Sequence, residues 1–273
     1  MGSLREANCI SLAVLTVDRS ESEPSSAYQP PASQRAGLSL EGEPLLRAEQ
    51  LSVWLGRNQV LRGIDLSVPP STVLGVLGPS GAGKSTLFRC LVGELSPARG
   101  RVSLQGRDVT GLPLWIRARL GLGYVPQTPS VLFDLSVEKN LRTFARLSGA
   151  SWGAAERLCA RLELGDRLHV KAGQLSGGER RRLELVRALV AEPKVLICDE
   201  PLTGLDPHMV QKVGALFGEL AQRGGAVLFA DHRISEVLPF CERAALLVDG
   251  RLLVTSNAES FVDHPAVQER YLT

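Results

Sequence analysis

The sequence predicts an α/β protein with a mostly parallel sheet and a functional site at the carboxyl ends of its strands. A glycine-rich segment lies between an apolar strand at 72–77 and a helix that starts near Leu87. Two later apolar strands, at 194–198 and 226–230, each lead directly into an acidic residue. Strands that alternate with loops and helices are typical of a parallel sheet, and such sheets bind ligands outside the carboxyl ends of their strands.

The first part of the chain divides into an extension and an antiparallel sheet. Residues 18–43 are rich in Ser, Pro, Glu and Gln and hold few large apolar groups, so burial cannot offset the entropy of ordering them. We therefore predict that residues 1–43 form a disordered extension. The next segments, 45–54 and 59–68, alternate as half-buried strands around a turn, and 100–106 has the pattern of a further strand. Together they predict an antiparallel sheet beside the glycine-rich segment.

The glycine-rich segment matches the phosphate-loop pattern G-x-x-x-x-G-K-[ST]. Backbone N–H groups of such a loop surround a phosphate chain, and the following helix N-terminus adds partial positive charge. The Lys84 ammonium is expected to reach the terminal phosphates, and the Ser85 hydroxyl to ligate Mg²⁺. The alternative is a glycine-rich turn that precedes a lysine by chance. Such a turn would not be expected to have a buried strand before it and a helix after it, as this segment has. We therefore predict a binding site for ATP formed by Gly78, Pro79, Ser80, Gly81, Ala82, Gly83, Lys84, Ser85 and Thr86.

Two adjacent carboxylates follow the strand at 194–198. In a nucleotide site, Asp199 can hold Mg²⁺ through water, and Glu200 can orient or deprotonate the attacking water. Phosphoryl transfer depends on positioning and charge stabilisation, so one well-placed carboxylate has a large effect on the rate. A solvated acidic pair at a strand end is the alternative interpretation, and the phosphate loop favours the functional one.

Composition argues against several other classes of protein. The 273 residues carry 31 Lys and Arg against 29 Asp and Glu, a net charge of +2, and binding of nucleic acid is not expected at so small an excess. The densest basic cluster, Arg180 to Arg182, is interpreted as a solvated helix face. The scattered cysteines favour a reducing compartment over a zinc site or a disulfide framework. These cysteines are Cys9, Cys90, Cys159, Cys198 and Cys241.

The apolar stretches are too short to span a bilayer, and the run at 9–17 is short for a secretory signal. Glu6 stands where a myristoylation signal has Ser or Thr. We therefore expect a soluble, cytoplasmic chain that meets a membrane only through a partner.

The octet Leu-Ser-Gly-Gly-Glu-Arg-Arg-Arg at 175–182 precedes a helical run and can form a second anion site. Ser176 and the amides of Gly177 and Gly178 would cap the helix N-terminus and can face a γ-phosphate. The octet resembles the signature of ATP-binding-cassette (ABC) ATPases, which other phosphate-loop families lack. The resemblance implies a P-loop NTPase with a RecA-like, mostly parallel sheet, an antiparallel β subdomain and a helical signature subdomain. The nucleotide-binding domain would then span 44–273, with its helical subdomain at about 129–187. Within that subdomain, apolar residues follow helical spacing from about 136 to 168.

The same resemblance implies the roles of further residues. Gln127 looks like the glutamine of the family's Q-loop, which contacts Mg²⁺ or water and couples to the transport partner. Asp206 resembles the aspartate of the D-loop, which crosses a dimer interface, and His232 the switch histidine that contacts the γ-phosphate. In this family the phosphate loop of one subunit and the signature of the other bind the same ATP, which implies a homodimer. The family also stacks adenine on an aromatic residue near the first strand, and both Leu55 and Trp54 lie in that region.

Finer features resemble one branch of the family. Several segments are similar to the ATPase of the lipopolysaccharide transport (Lpt) system, namely 113–127, 135–141, 175–182, 231–232, 241–244 and 267–272. That likeness implies a homodimer whose closure on ATP drives integral membrane permease subunits at the cytoplasmic face of the inner membrane. The permeases would extract lipopolysaccharide, and this chain would not contact the transported substrate. Their coupling helices would dock near residues 128–140.

Other interpretations remain open at this stage. The ATPases of branched-chain amino-acid importers share much of the same sequence pattern and form the second candidate. Cassette ATPases of DNA repair or translation typically have two cassettes, large insertions or coiled coils, and this chain has no internal repeat and no heptads. A structural subunit without turnover is disfavoured by Glu200, because degenerate sites commonly lose this carboxylate.

Overall fold

In the computed structural model, residues 43–231 and 237–271 are described. The predicted disordered extension lies outside these residues apart from Glu43, and so does His232.

The predicted antiparallel sheet is present and has four strands in the order β2-β1-β4-β5. Its strands are β1 (Leu46–Leu55), β2 (Asn58–Val68), β4 (Arg99–Leu104) and β5 (Arg107–Asp108). The predicted strand at 100–106 ends earlier, at Leu104. The reason is a tight turn: Gln105 and Gly106 have φ of 50° and 75°, a left-handed pair that reverses the chain between β4 and β5.

A second sheet has six strands in the order β10-β9-β3-β8-β7-β6. Its strands are β3 (Thr72–Leu77), β6 (Leu122–Val125), β7 (Val195–Asp199), β8 (Ala226–Ala230), β9 (Arg243–Val248) and β10 (Arg251–Asn257). All neighbours pair in parallel except β10, which runs antiparallel to β9 at the edge. Every residue of β3, β7 and β8 is buried, as expected for parallel strands covered on both faces.

Helices cover both faces of this six-stranded sheet. Those of the described ranges are α1 (Lys84–Val92), α2 (Leu114–Arg119), α3 (Val137–Ser148), α4 (Trp152–Arg161), α5 (Gly177–Leu189), α6 (Pro207–Gln222), α7 (Ala258–Phe261) and α8 (Pro265–Arg270). The range 136–168 forms two helices because Gly149, at φ 75°, ends α3 and the Ser151 side chain caps α4. None of the described helices combines the length and the apolar character needed to cross a membrane.

The core forms two clusters, one on each face of the six-stranded sheet. Alternate residues of β7 show the division: Leu196 and Cys198 pack with α3 to α6, whereas Val195 and Ile197 pack with α1 and the antiparallel sheet. The fold thus fixes the parallel strands between two packed layers, and their carboxyl ends form one rigid edge.

Candidate functional site

Three adjacent parallel strands bring the predicted site residues to one edge of the sheet. β3 leads into Gly78, β8 into Asp231, and β7 ends at Asp199. The three strands end at nearly the same level of the sheet, because Ala230 pairs with Val76 on one side and with Asp199 on the other. The phosphate loop and the acidic residues therefore lie together, as the sequence predicted.

The phosphate loop wraps around its own lysine. Lys84 Nζ donates hydrogen bonds to the carbonyl oxygens of Gly78 at 2.6 Å and Pro79 at 3.0 Å. Gly83, at φ 107°, precedes α1 in a conformation that side-chain-bearing residues rarely adopt, and it gives the helix no side-chain cap. The first turn of α1 also has no acidic residue. Its N–H groups, which have no partner within the helix, are thus left for an anionic ligand, and a phosphate chain fits this environment.

Burial shifts the pKa values of the charged groups at this edge. Lys84 is 9% exposed, and burial lowers its pKa while Glu200, Asp199 and Asp231 raise it. Asp199 is 2% exposed; burial raises the pKa of its carboxyl, and a hydrogen bond from the Ser85 hydroxyl lowers it. Ser85 and Asp199 thus place two oxygen donors side by side in a poorly hydrated pocket. Hard oxygen ligands of this kind suit Mg²⁺.

Glu200 has an unusual backbone conformation. Its φ is 52°, in the left-handed region that costs a non-glycine residue roughly 1 kcal/mol or more. Its N–H donates to the Ala230 carbonyl at 2.9 Å, so the neighbouring strand holds it there. Six other described non-glycine residues, Glu192 among them, also have positive φ, so this conformation fixes where Glu200 lies but does not by itself mark it as functional.

The signature forms a complete helix cap. Ser176 Oγ accepts from the Glu179 N–H at 3.2 Å, and Glu179 Oε2 accepts from the Ser176 N–H at 2.8 Å. Hydrogen bonds from the Ser176 backbone and from Arg167 lower the pKa of Glu179 to about 2. Ser176 and Gly177 are exposed, and a Cβ added at Gly177 would meet no atom within 4 Å. The N-terminus of α5 is therefore preformed and accessible.

The segment resembling the D-loop lies against the signature. A Cβ at Gly178 would come within 2.7 Å of the Gly204 carbonyl oxygen, so the two backbones approach closely. Asp206 is exposed, and its Oδ1 accepts from the Met209 N–H at 2.9 Å, which caps α6. The sequence analysis missed this cap, although Asp206 followed by Pro207 is a known signal for a helix start.

Arg181 is not on a solvated helix face. It is 8% exposed, and its Nη2 donates to the Gln127 carbonyl at 3.0 Å. The interpretation of the basic run was wrong for this residue, because the phase of α5 turns Arg181 toward the core. Gln127 itself is exposed and follows β6 after one residue.

The end of the β1–β2 hairpin holds both residues that the sequence offered for adenine stacking. Trp54 pairs with Gln59, and Leu55 with Asn58. Gln59 lines a cavity of about 370 Å³ together with Gly81 of the phosphate loop. Trp54 is 39% exposed and Leu55 is 45% exposed, and neither side chain is among the residues that line the cavity. The pairing register therefore does not separate the two candidates that the sequence left open.

A contact from the end of the described chain was also missed. The Tyr271 side chain hydrogen-bonds with the backbone of Gly78, the first residue of the phosphate loop. Nothing in the spacing of the sequence indicated that these two residues meet.

Comparison with known proteins places this site in a family. The family model described as ABC transporter matches residues 61–203. The "Lipopolysaccharide export system ATP-binding protein LptB" of Acidithiobacillus ferridurans is 41% identical over 84% of this chain and 96% of that relative. The protein of the same name from Escherichia coli K12 is 36% identical over 83% and 96%. A "Probable ABC transporter ATP-binding protein" of Azorhizobium caulinodans is 40% identical over 84% of this chain and 83% of its own length.

Solved structures with a similar fold belong to the same family. A nucleotide-free ATP-binding cassette from an ABC transporter superposes with a TM-score of 0.74 at 26% identity, covering 84% of this chain and 99% of that one. CbiO1 from Clostridium perfringens, a part of the transporter complex CbiONQ, reaches a TM-score of 0.69 at 26% identity and covers 85% and 96%. The predicted α/β phosphate-loop fold is thereby confirmed. The chain belongs to the ABC transporter family and is an ATP-binding, ATP-hydrolysing subunit of such a transporter.

Proposed function

We propose that this chain is the ATPase of a lipopolysaccharide export system, acting as a homodimer beneath membrane permease subunits at the cytoplasmic face of the inner membrane. The observation that supports a homodimer is the preformed, exposed N-terminus of α5 at Ser176 and Gly177. The names of the relatives from Acidithiobacillus and Escherichia support the substrate. The relative from Azorhizobium has no substrate in its name and supports the transporter class alone.

In the proposed mechanism, the amides of residues 78–86 and Lys84 bind the phosphates of ATP. Ser85 and Asp199 would hold Mg²⁺, with Gln127 as a further ligand to the ion or to its water. When bound, the ion would supply positive charge beside the phosphate oxygens. Glu200 orients the attacking water and accepts its proton. His232, outside the described residues, would contact the γ-phosphate.

The second copy completes the site. Ser176, Gly177 and Gly178 of one subunit would face the γ-phosphate held by the phosphate loop of the other. Asp206, beside that signature, would lie at the interface. ATP then joins the two subunits, and its hydrolysis separates them.

The adenine base would stack on Trp54. Trp54 supports this proposal as the aromatic residue of the two candidates, and its strand partner Gln59 lines a cavity together with Gly81 of the phosphate loop. Stacking on an aromatic ring accepts any base, so this contact adds affinity and no selectivity for adenine over other bases.

The permease would dock on residues 128–140, in the proposed helical subdomain 129–187 of a nucleotide-binding domain spanning 44–273. Phe133 in this segment is 44% exposed, so its ring is accessible to an apolar partner helix. Asn140 holds the segment in shape: its Nδ2 donates to the Leu132 and Ser136 carbonyls at 3.0 Å each.

The proposal is tested by purifying the tagged chain from its own membranes and identifying the copurifying proteins by mass spectrometry. Permeases of a lipopolysaccharide export system would support it. A periplasmic amino-acid-binding protein with import permeases would overturn the substrate and favour the branched-chain importer. A Phe133→Asp variant, which changes no residue of the ATP site, is expected to lose the permeases in the same experiment.

A further inference from the structure

Three charged residues form a buried stripe along α5, just after the signature. Arg181, Glu184 and Arg187 lie three residues apart and are 8%, 4% and 8% exposed. Buried charges are costly to desolvate unless they are paired and hydrogen-bonded, so their contacts require an explanation.

All three side chains bind the segment that carries Gln127, mostly through its backbone. Arg181 Nη1 donates to the Pro126 carbonyl at 2.7 Å, and its Nη2 donates to the Gln127 carbonyl at 3.0 Å. Glu184 Oε1 accepts from the Ser130 N–H at 2.5 Å. Arg187 Nη1 donates to the Ser130 carbonyl at 2.8 Å. Bonds to the backbone fix the path of the segment 126–130 whatever its side chains are.

Arg181 and Glu184 also bind each other. Arg181 Nη1 lies 3.0 Å from Glu184 Oε2, and the pair is almost fully enclosed. The planar guanidinium thereby contacts two successive carbonyls and one carboxylate at once, a geometry that the point charge of a lysine cannot reproduce.

We propose that Arg181 and Glu184 are positioning residues for Gln127, which join the signature and the Q-loop of one subunit into a single moving unit. Five residues of helix, a rise of about 7.5 Å, separate Ser176 from Arg181. A helix of this length is stiff. When ATP bound at the partner subunit's phosphate loop displaces the signature of this chain, Gln127 therefore moves with it. The inference rests on the proposed role of Gln127 in the function given above.

The adjacent arginine supplies a matched control. Arg182 has the same charge and lies on the same helix, but its Nη1 donates to the Leu162 and Glu163 carbonyls at 2.9 and 3.2 Å, beyond the end of α4. Arg181→Met and Arg182→Met therefore remove the same group from two different contacts.

The test is a double-mutant cycle on steady-state ATP hydrolysis by the full chain. We expect Arg181→Met to lower kcat by about tenfold to a hundredfold, the usual effect of a misplaced active-site group, with ATP affinity changed less than about twofold. It should also raise the Mg²⁺ concentration needed for half-maximal rate. In a Gln127→Ala background, Arg181→Met should add less than about a twofold loss, since both changes act through one residue, whereas any loss from Arg182→Met should multiply.

A second variant separates positioning from folding. Arg181→Met alone leaves Glu184 buried without its partner, so we pair it with Glu184→Gln, whose amide oxygen can still accept from the Ser130 N–H. The double variant should regain part of the melting temperature that Arg181→Met loses, because no buried carboxylate is left unpaired, but it should not regain kcat. Recovery of kcat along with stability would overturn the inference, and so would independent, multiplying losses with Gln127→Ala.

The outcomes also separate this inference from the proposed function. A wild-type chain without ATP hydrolysis would contradict the function itself. An active wild type in which Gln127→Ala or Arg181→Met changes neither kcat nor the Mg²⁺ dependence would contradict the positioning role alone.

Discussion

The phosphate-loop edge and the signature end differ in how complete they are within one chain. At the phosphate loop, Lys84 and Asp199 are buried and hydrogen-bonded to neighbours on adjacent elements. At the signature, Ser176 and Gly177 are exposed, although the cap of α5 is fully formed. The phosphate-loop edge is thus a site that one chain can form for a nucleotide by itself. The signature end is an exposed surface that can bind a phosphate held by another subunit.

This difference separates binding from turnover. A single chain should bind ATP through its phosphate loop, because the lysine and the uncapped helix N-terminus are already in place. Hydrolysis should need the second copy, since the preformed α5 terminus offers charge stabilisation only to a nucleotide held elsewhere. Each variant below affects one region and leaves the other unchanged.

The largest effect is expected for Glu200→Gln. Loss of the carboxylate should reduce ATP turnover by at least about a hundredfold, because the attacking water loses its base, while ATP binding stays within about twofold. Steady-state ATPase assays and equilibrium nucleotide binding measure the two quantities. Glu192→Gln is the matched control: Glu192 is an exposed glutamate with φ of 46°, and its variant should hydrolyse ATP normally.

The same Glu200→Gln protein should dimerise when ATP is added, since its unhydrolysed nucleotide would join phosphate loop to signature. Light scattering with and without Mg²⁺-ATP reports the mass directly. A monomer at saturating ATP would count against the two-subunit site, and unchanged turnover would refute the role of Glu200.

The next effect is expected for Gly177→Glu at the signature. The space around Gly177 is open and its φ is ordinary, so a side chain fits without strain, and an acid at a helix N-terminus is locally favourable. The new carboxylate would nevertheless repel the partner's γ-phosphate. We expect turnover to fall by about thirtyfold or more with an unchanged melting temperature and unchanged ATP binding.

Gly218→Glu is the control for that variant, because a Cβ at Gly218 in α6 also meets no atom within 4 Å. If both glycine variants hydrolyse ATP at the wild-type rate, the signature does not contact nucleotide and the proposed division between the two regions fails.

A smaller effect is expected for Trp54→Ala at the base end of the pocket. Loss of one stacking platform, worth about 1 kcal/mol at the low end, should raise the KM for ATP about fivefold with kcat unchanged. Leu55→Ala should change KM by less than about twofold, since an aliphatic side chain has no aromatic face on which a base can stack. Quenching of tryptophan fluorescence by ATP should also disappear with Trp54. Equal effects of the two variants would leave the stacking residue unassigned.

The sequence predicted the phosphate-loop edge better than it predicted the contacts between distant elements. The bounds of β3 and β8 agree with their apolar runs, because fully buried parallel strands have a simple pattern. Arg181 was misplaced because composition shows a basic run but not which way the helix turns each side chain. The contact of Tyr271 with Gly78 and the order of strands in the sheet depend on tertiary packing, which leaves no local pattern. The role of His232 stays a prediction.

The smallest effect should come from Glu179→Gln, which tests whether the signature cap is built before any nucleotide arrives. The amide can keep the bond from the Ser176 N–H, but it loses the ion pair with Arg167 at 2.7 Å and the charge at the helix N-terminus. We expect the free energy of unfolding at pH 7 to fall by about 0.5 kcal/mol without nucleotide. The pKa of Glu179 is lowered to about 2 in the folded chain, so its stabilisation is complete above its ordinary pKa of about 4.5 and is lost as the pH falls toward 2. Denaturant unfolding of both proteins across this pH range should show the difference closing, while an equal difference at pH 7 and pH 2 would mean that the carboxylate does not form the cap.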